Sequence, residues 1–117
     1  MVAMPVKTNK EDTAISPLFG HAKYFAFIDE NGNVTIEKNP ANGGGQVVAW
    51  LAQKGVDRVI TQHIGRKPYL LLEKAGIACF YPGDGRISIK EALAANLEPI
   101  NQANIDKFVR HKGRKHG

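Results

Sequence analysis

The chain has 117 residues, 43% of them hydrophobic, a formal net charge of +5 and a single cysteine. That length gives one domain built on one core, and the lone cysteine excludes an intrachain disulfide and an all-cysteine metal cage. The apolar runs are short, far below the ~20 residues a bilayer span needs. The opening segment, MVAMPVKTNKEDT, lacks the charged start and long apolar stretch of a signal peptide, so a cytoplasmic location is the expectation.

Residues 2–6, VAMPV, predict a first strand. Pro5 suits an edge or a strand end, because it has no N–H to give a sheet ladder. Residues 7–17 are polar and turn-rich and read as a loop. Residues 23–29, KYFAFID, predict a strand from their aromatic content. Asn31-Gly32 is a strong hairpin signal, and residues 34–39, VTIEKN, alternate as the returning strand should. The glycine-rich break at 40–46 leads into a helix over 46–55, with Val47, Val48 and Leu51 as its apolar stripe and Trp50 at the margin. Lys54 complements the C-terminal end of the helix dipole and Gly55 is placed to stop the helix.

Residues 57–61 predict a strand and 62–65 a loop. Pro68 is tolerated in a first helical turn, and the helix it opens runs to Gly76. Residues 77–81, IACFY, predict the next strand and 82–86 a turn. Ser88 and Glu91 stand at capping-box spacing, so a helix over 88–96 begins there. Residues 97–105 read as an irregular connector. The element order is β-β-β-α-β-α-β-α. The alternation from the third strand onward argues for parallel strands with right-handed crossovers. The fold class is α/β: one mixed five-stranded sheet covered by helices, over residues 1–105.

The charge is unevenly placed. Residues 106–117, DKFVRHKGRKHG, carry five basic side chains against Asp106, whereas residues 1–105 carry eleven basic and ten acidic ones. The expectation is a nearly neutral body followed by a flexible basic tail that also holds His111 and His116. Such a tail reads either as an interaction segment for an anionic partner or as a solvated end. A nucleic-acid-binding module is the alternative reading, since phosphate contacts need only cations. The tail's one aromatic, Phe108, offers little for base stacking.

In open α/β sheets ligands sit beyond the carboxyl ends of parallel strands. The loops at 16–22, 40–46 and 62–67 are the candidate positions. NGGGQ feeds a helix N-terminus, where free N–H groups and the dipole favour anions, and Gly43, Gly44 and Gly45 let the backbone approach a ligand closely. The run matches neither G-x-x-x-x-G-K-[ST] nor G-x-G-x-x-G. Gly44→Val is therefore expected to damage binding more than stability. His21 and His63, the latter beside Gly65, offer imidazoles to a transition metal or are plain surface residues. Cys79 is a small buried hydrophobe or, if it faces a cleft, a thiolate ligand. Hydrolytic chemistry has no support: Asp29, Glu30, Asp57, Glu73 and Asp84 form no tight carboxylate motif of the two-metal kind, Asp29-Glu30 fits the approach to a hairpin turn, and no G-x-S-x-G occurs.

Taken in order, VAMPV, SPLFGHAKYF, Asn-Pro before a glycine-rich loop, LAQKGVDRVI, HIGRKPYLLLEKAGI and SIKEAL resemble the NifX/NifB-like family of dinitrogenase iron–molybdenum cofactor biosynthesis proteins, over about residues 2–105. The resemblance implies a ribonuclease-H-like three-layer fold without nuclease chemistry. It also implies a small non-enzymatic carrier, scaffold or store for an anionic iron–sulfur or iron–molybdenum-type cluster. The partners would be the cluster and the proteins that deliver or accept it. The family motif often reads His-Phe-Gly. Phe19 and Gly20 match it, while Leu18 stands where the histidine would be and His21 follows two residues after Phe19. Phe19, Gly20, His21, Gly43, Gly44, Gly45 and Gly65 are the expected binding residues, with His21, His63 and Cys79 as candidate direct ligands.

Overall fold

The hairpin forms where aromatic and β-branched residues flank Asn31-Gly32. In the computed structural model, which describes residues 1–109, β2 (Tyr24–Ile28) and β3 (Val34–Lys38) pair antiparallel, with Ile28 opposite Val34. Asp29 closes the turn. One carboxylate oxygen accepts from the amides of Asn31 and Asn33, each at 2.9 Å, and Gly32 supplies the positive φ of 85°. These donors, the Asn33 amide foremost, hold the Asp29 carboxyl below its ordinary range. The acid therefore serves the turn, as its place in the sequence suggests.

β1 (Val2–Val6) lies in the middle of the sheet, antiparallel to β2 and parallel to β4 (Arg58–Ile60). A proline in a central strand is unusual because it cannot donate to the ladder. Here the register with β4 covers only Val2 and Ala3, so Pro5 lies beyond the last parallel pair. β5 (Ala78–Tyr81) pairs parallel with β4 and antiparallel with β6 (Glu98–Pro99), which completes the order β3-β2-β1-β4-β5-β6. The sheet thus has six strands, not the expected five. The extra one comes from the stretch that reads as a connector, since two residues, one of them proline, carry no periodic signal.

Side chains alternate across the sheet, and each face has its own cover. Ala3, Phe25, Phe27, Val59 and Cys79 pack with α1 (Gly44–Gln53) and α2 (Arg66–Lys74). Met4, Val6, Ala26, Ile28 and Ile60 pack with Ile89 and Ala92 of α3 (Ile89–Ala94). Trp50 stands edge-on to both Phe25 and Phe27, with ring centroids 5.7 and 5.4 Å away. α3 opens with the full capping box: the Glu91 amide donates to Ser88 Oγ at 3.1 Å and the Ser88 amide to Glu91 Oε1 at 2.8 Å.

α1 and α2 each start two residues earlier than expected, at Gly44 and not Gln46, and at Arg66 and not Pro68. The packed chain also runs past residue 105. A 3-10 helix, Ile105–Lys107, carries Phe108 onto the Tyr81 ring, 4.8 Å between centroids, and Phe108 is buried. The boundary expected after residue 105 therefore falls inside packed structure. The rest of the expected tail, including His111 and His116, lies outside the described residues. No helix among the described residues is long and apolar enough to cross a membrane.

Candidate functional site

Three candidate loops meet at one end of the sheet. The segment before β2, the N-termini of α1 and α2, and the chain at Val109 enclose a cavity of about 250 Å3. Leu18, Phe19, Gly20 and His21 form one wall, Gly44 and Pro68 another, and His63, Ile64 and Gly65 a third. Backbone contacts hold the walls together. Leu18 forms a parallel bridge with His63, and the Phe19 amide donates to the His63 carbonyl at 3.1 Å. The Phe19 ring is buried, edge-on to Phe25 at 5.6 Å. Phe19 is thus the anchor that fixes the bend, and Leu18 and His21 ride on it.

The glycines differ in what they do. Gly43 caps α1 with φ 100°, a backbone conformation that L side chains avoid, and has open space around it. Gly44 has no such φ; space is what it lacks. A Cβ on Gly44 would lie 2.8 Å from two carbons of the Pro68 ring, and a Cβ on Gly20 would lie 3.2 Å from the Gly44 nitrogen. Gly20, Gly44 and Pro68 are therefore stacked backbone against backbone against ring. The expectation that Gly44→Val would damage binding more than stability is revised: the residue is a packing contact between α1 and α2 as well as part of the cavity wall. Gly65 caps α2 and lines the cavity, whereas Gly45 turns toward Leu71.

The electrostatics follow from two helix starts. Neither α1 nor α2 has a side-chain cap or an acidic residue in its first turn. The first intrahelical bonds are Val47 N–H to Gly43 O and Tyr69 N–H to Gly65 O. The amides of Gly44, Gly45 and Gln46, and those of Arg66 and Lys67, consequently have no acceptor among the described residues. Pro68 has no N–H, which costs nothing in a first turn. By contrast α3, on the opposite face, has both its cap and its acid. Among the described residues no carboxylate lines the cavity. The Arg66 guanidinium, outside the lining, pairs with Asp106.

The two histidines are both in the lining, His63 half-buried and His21 exposed. His63 Nδ1 lies 3.3 Å from the Phe108 carbonyl oxygen, which also accepts the Ile64 amide at 3.0 Å. A neutral imidazole that donates through Nδ1 keeps its lone pair on Nε2, the arrangement common to metal-ligating histidines. Val109, Pro68 and Ile64 complete the apolar part of the wall. Nothing in their spacing marks them, because they meet only through the tertiary fold.

Cys79 is not part of this cavity. It sits on β5, 3% exposed, facing α2. Burial pushes its thiol up to about 12, so the thiolate a metal requires is not formed near neutral pH. Cys79 as a ligand is corrected to Cys79 as a core residue. Among the described residues no group of three or more His, Cys, Asp or Glu side chains is arranged to hold a metal ion. Among the described residues, the side-chain ligands that line this cavity are the two imidazoles, beside backbone amides.

The family model described as dinitrogenase iron-molybdenum cofactor matches residues 1–98. An uncharacterized protein of Methanocaldococcus jannaschii, MJ0580, is 32% identical over 116 residues, covering 92% of this chain and 90% of that one. A Thermotoga protein solved by NMR and described as a candidate NifB, TM1290, superposes with a TM-score of 0.72 at 30% identity, over 84% of this chain and 90% of the other. The apo orange protein of Desulfovibrio gigas gives a TM-score of 0.72 at 19% identity, over 86% and 95% of the two chains. At that identity the likeness speaks for the fold alone.

Proposed function

The chain belongs to the dinitrogenase iron-molybdenum cofactor family, and on that premise we propose that its cavity receives an anionic iron–sulfur or iron–molybdenum-type cluster. The protein would act as a small carrier, scaffold or store and not as an enzyme. The observation that carries this reading is the convergence of two uncapped, acid-free helix N-termini on a carboxylate-free cavity lined by His21 and His63. The donor set suits such a cargo. Unpaired amides donate to bridging sulfides and stabilise negative charge, while imidazole is an accepted ligand of iron. The ribonuclease-H-like description belongs to the same proposal, supported by helices on both faces of a sheet that runs β3-β2-β1-β4-β5 before its last strand.

The direct test is anaerobic reconstitution with iron and sulfide, then visible absorption and metal analysis after desalting. Colour and iron that stay with the protein are expected; their complete loss on the column would overturn the reading. Leu18→His refines it. Leu18 lines the cavity beside His63, so a histidine there adds a third imidazole to the wall. That variant is expected to retain more iron per chain than the parent. Equal retention in the two would place the cargo elsewhere.

A further inference from the structure

We propose a second binding site, for a tetrahedral oxyanion that still carries a proton, such as monohydrogen phosphate. It lies at the carboxyl ends of β1, β4 and β5, and His63 lines both it and the cluster cavity. Lys7 follows β1, Gln62 follows β4, and Asp84, Gly85 and Arg86 belong to the loop after β5; together they line a hollow of about 280 Å3. Two of these groups, Lys7 and Arg86, are exposed cations. Neither makes a close ion pair among the described residues, where the ion pairs use other groups, although Arg86 is near enough to Glu91 to help hold its carboxyl below the ordinary range.

Gln62 is the observation that makes this more than a pair of surface charges. It is 4% exposed. Its Nε2 donates to the carbonyls of Gly83 and Gly85, at 2.9 and 2.8 Å, which uses both amide hydrogens and fixes which end is oxygen. Its Oε1 has no donor among the described residues. A buried acceptor left unmatched is unfavourable, so the side chain calls for a guest or a water that brings an O–H or N–H. Asp84 is a second acceptor in the same wall, already taking the Tyr81 hydroxyl proton.

The site thus combines cations with hydrogen-bond acceptors, and this combination sorts oxyanions by protonation. Phosphate near neutral pH keeps a P–O–H that can donate to Gln62 Oε1 or Asp84, while its other oxygens accept from Lys7 and Arg86. Sulfate has the same shape and charge but no proton to give, so it meets the buried acceptors unpaired. A simple patch of positive charge would not distinguish the two.

The test uses the full chain at fixed ionic strength and pH 7, titrated with inorganic phosphate and with sulfate by calorimetry and by phosphorus NMR line width. Phosphate is expected to bind at least roughly tenfold tighter than sulfate. Both Lys7→Ala and Arg86→Ala, which remove exposed side chains and leave the Gln62 bonds intact, are expected to weaken phosphate by about tenfold each, the scale of one charge-assisted hydrogen bond. Equal affinities for the two anions, no measurable phosphate binding, or phosphate binding that neither substitution changes would each overturn the proposal.

Discussion

Gly44→Val is expected to lower folding stability by about 3 kcal/mol, or roughly 10 °C in melting temperature for a chain of this size, and to abolish cluster retention with it. The reason is the stack of Gly20, Gly44 and Pro68. A valine Cβ would start 2.8 Å from the proline ring, inside any normal carbon–carbon contact. The proline ring cannot swing away, because it is fused to its own backbone, and Gly44 cannot easily shift back because its backbone packs against Gly20. The helices would have to separate, opening the same wall that holds the cavity. Gly43→Ala offers the contrast, because its space is open and only its φ of 100° opposes a side chain. Thermal unfolding of both variants measures the difference. A Gly44→Val protein that melts with the parent would show that the two helix starts are not in hard contact.

His63→Ala is expected to do the opposite: keep the fold and lose the cargo. Iron retained after reconstitution and desalting should fall about tenfold or more, since loss of even an outer-shell partner of a metal ligand costs 10- to 100-fold. Stability should change by no more than about 1 kcal/mol, the scale of one ordinary hydrogen bond. The backbone contacts made at this residue survive the substitution, namely Phe19 N–H to the His63 carbonyl and Ile64 N–H to the Phe108 carbonyl. Only the imidazole, with its 3.3 Å contact to Phe108, is removed. His21→Ala serves as the graded control, because His21 lines the same cavity from an exposed position. Undiminished iron in both variants would leave the amides as the sole donors and remove the histidines from the proposal.

Much of the local structure is legible in the sequence because its causes are local. Asn31-Gly32 makes the hairpin, Ser88 and Glu91 make the capping box, and Val47, Val48 and Leu51 make the buried stripe of α1. Cys79 reads either as a core hydrophobe or as a ligand, and only its 3% exposure beneath α2 favours the first. What escapes has non-local causes. β6 exists only because β5 offers an edge, and Glu98-Pro99 alone carries no strand pattern. Phe108 looks like part of a basic tail because its neighbours are charged, yet the Tyr81 ring and the core take it in. The loops at 16–22, 40–46 and 62–67 each look suited to a ligand, but their closure onto one cavity depends on the Gly20–Gly44–Pro68 stack. Sequence spacing cannot display that contact, since its three members come from separate elements.

The central position of β1 also governs how this chain can assemble. β1, β2 and β3 are consecutive and pair antiparallel, so they can zip up early as a three-stranded meander. The parallel half is different: Ala3 must find Val59 across the whole hairpin and α1, and closing so long a loop carries an entropy cost that shorter pairings avoid. Part of that flank of β1 is covered locally, since the Ser16 amide donates to the Pro5 carbonyl at 2.8 Å and Val6 bridges Ile15, so only the Val2–Ala3 half depends on β4. Pro5, which has no N–H to donate, needs only its carbonyl satisfied there, and Ser16 does so.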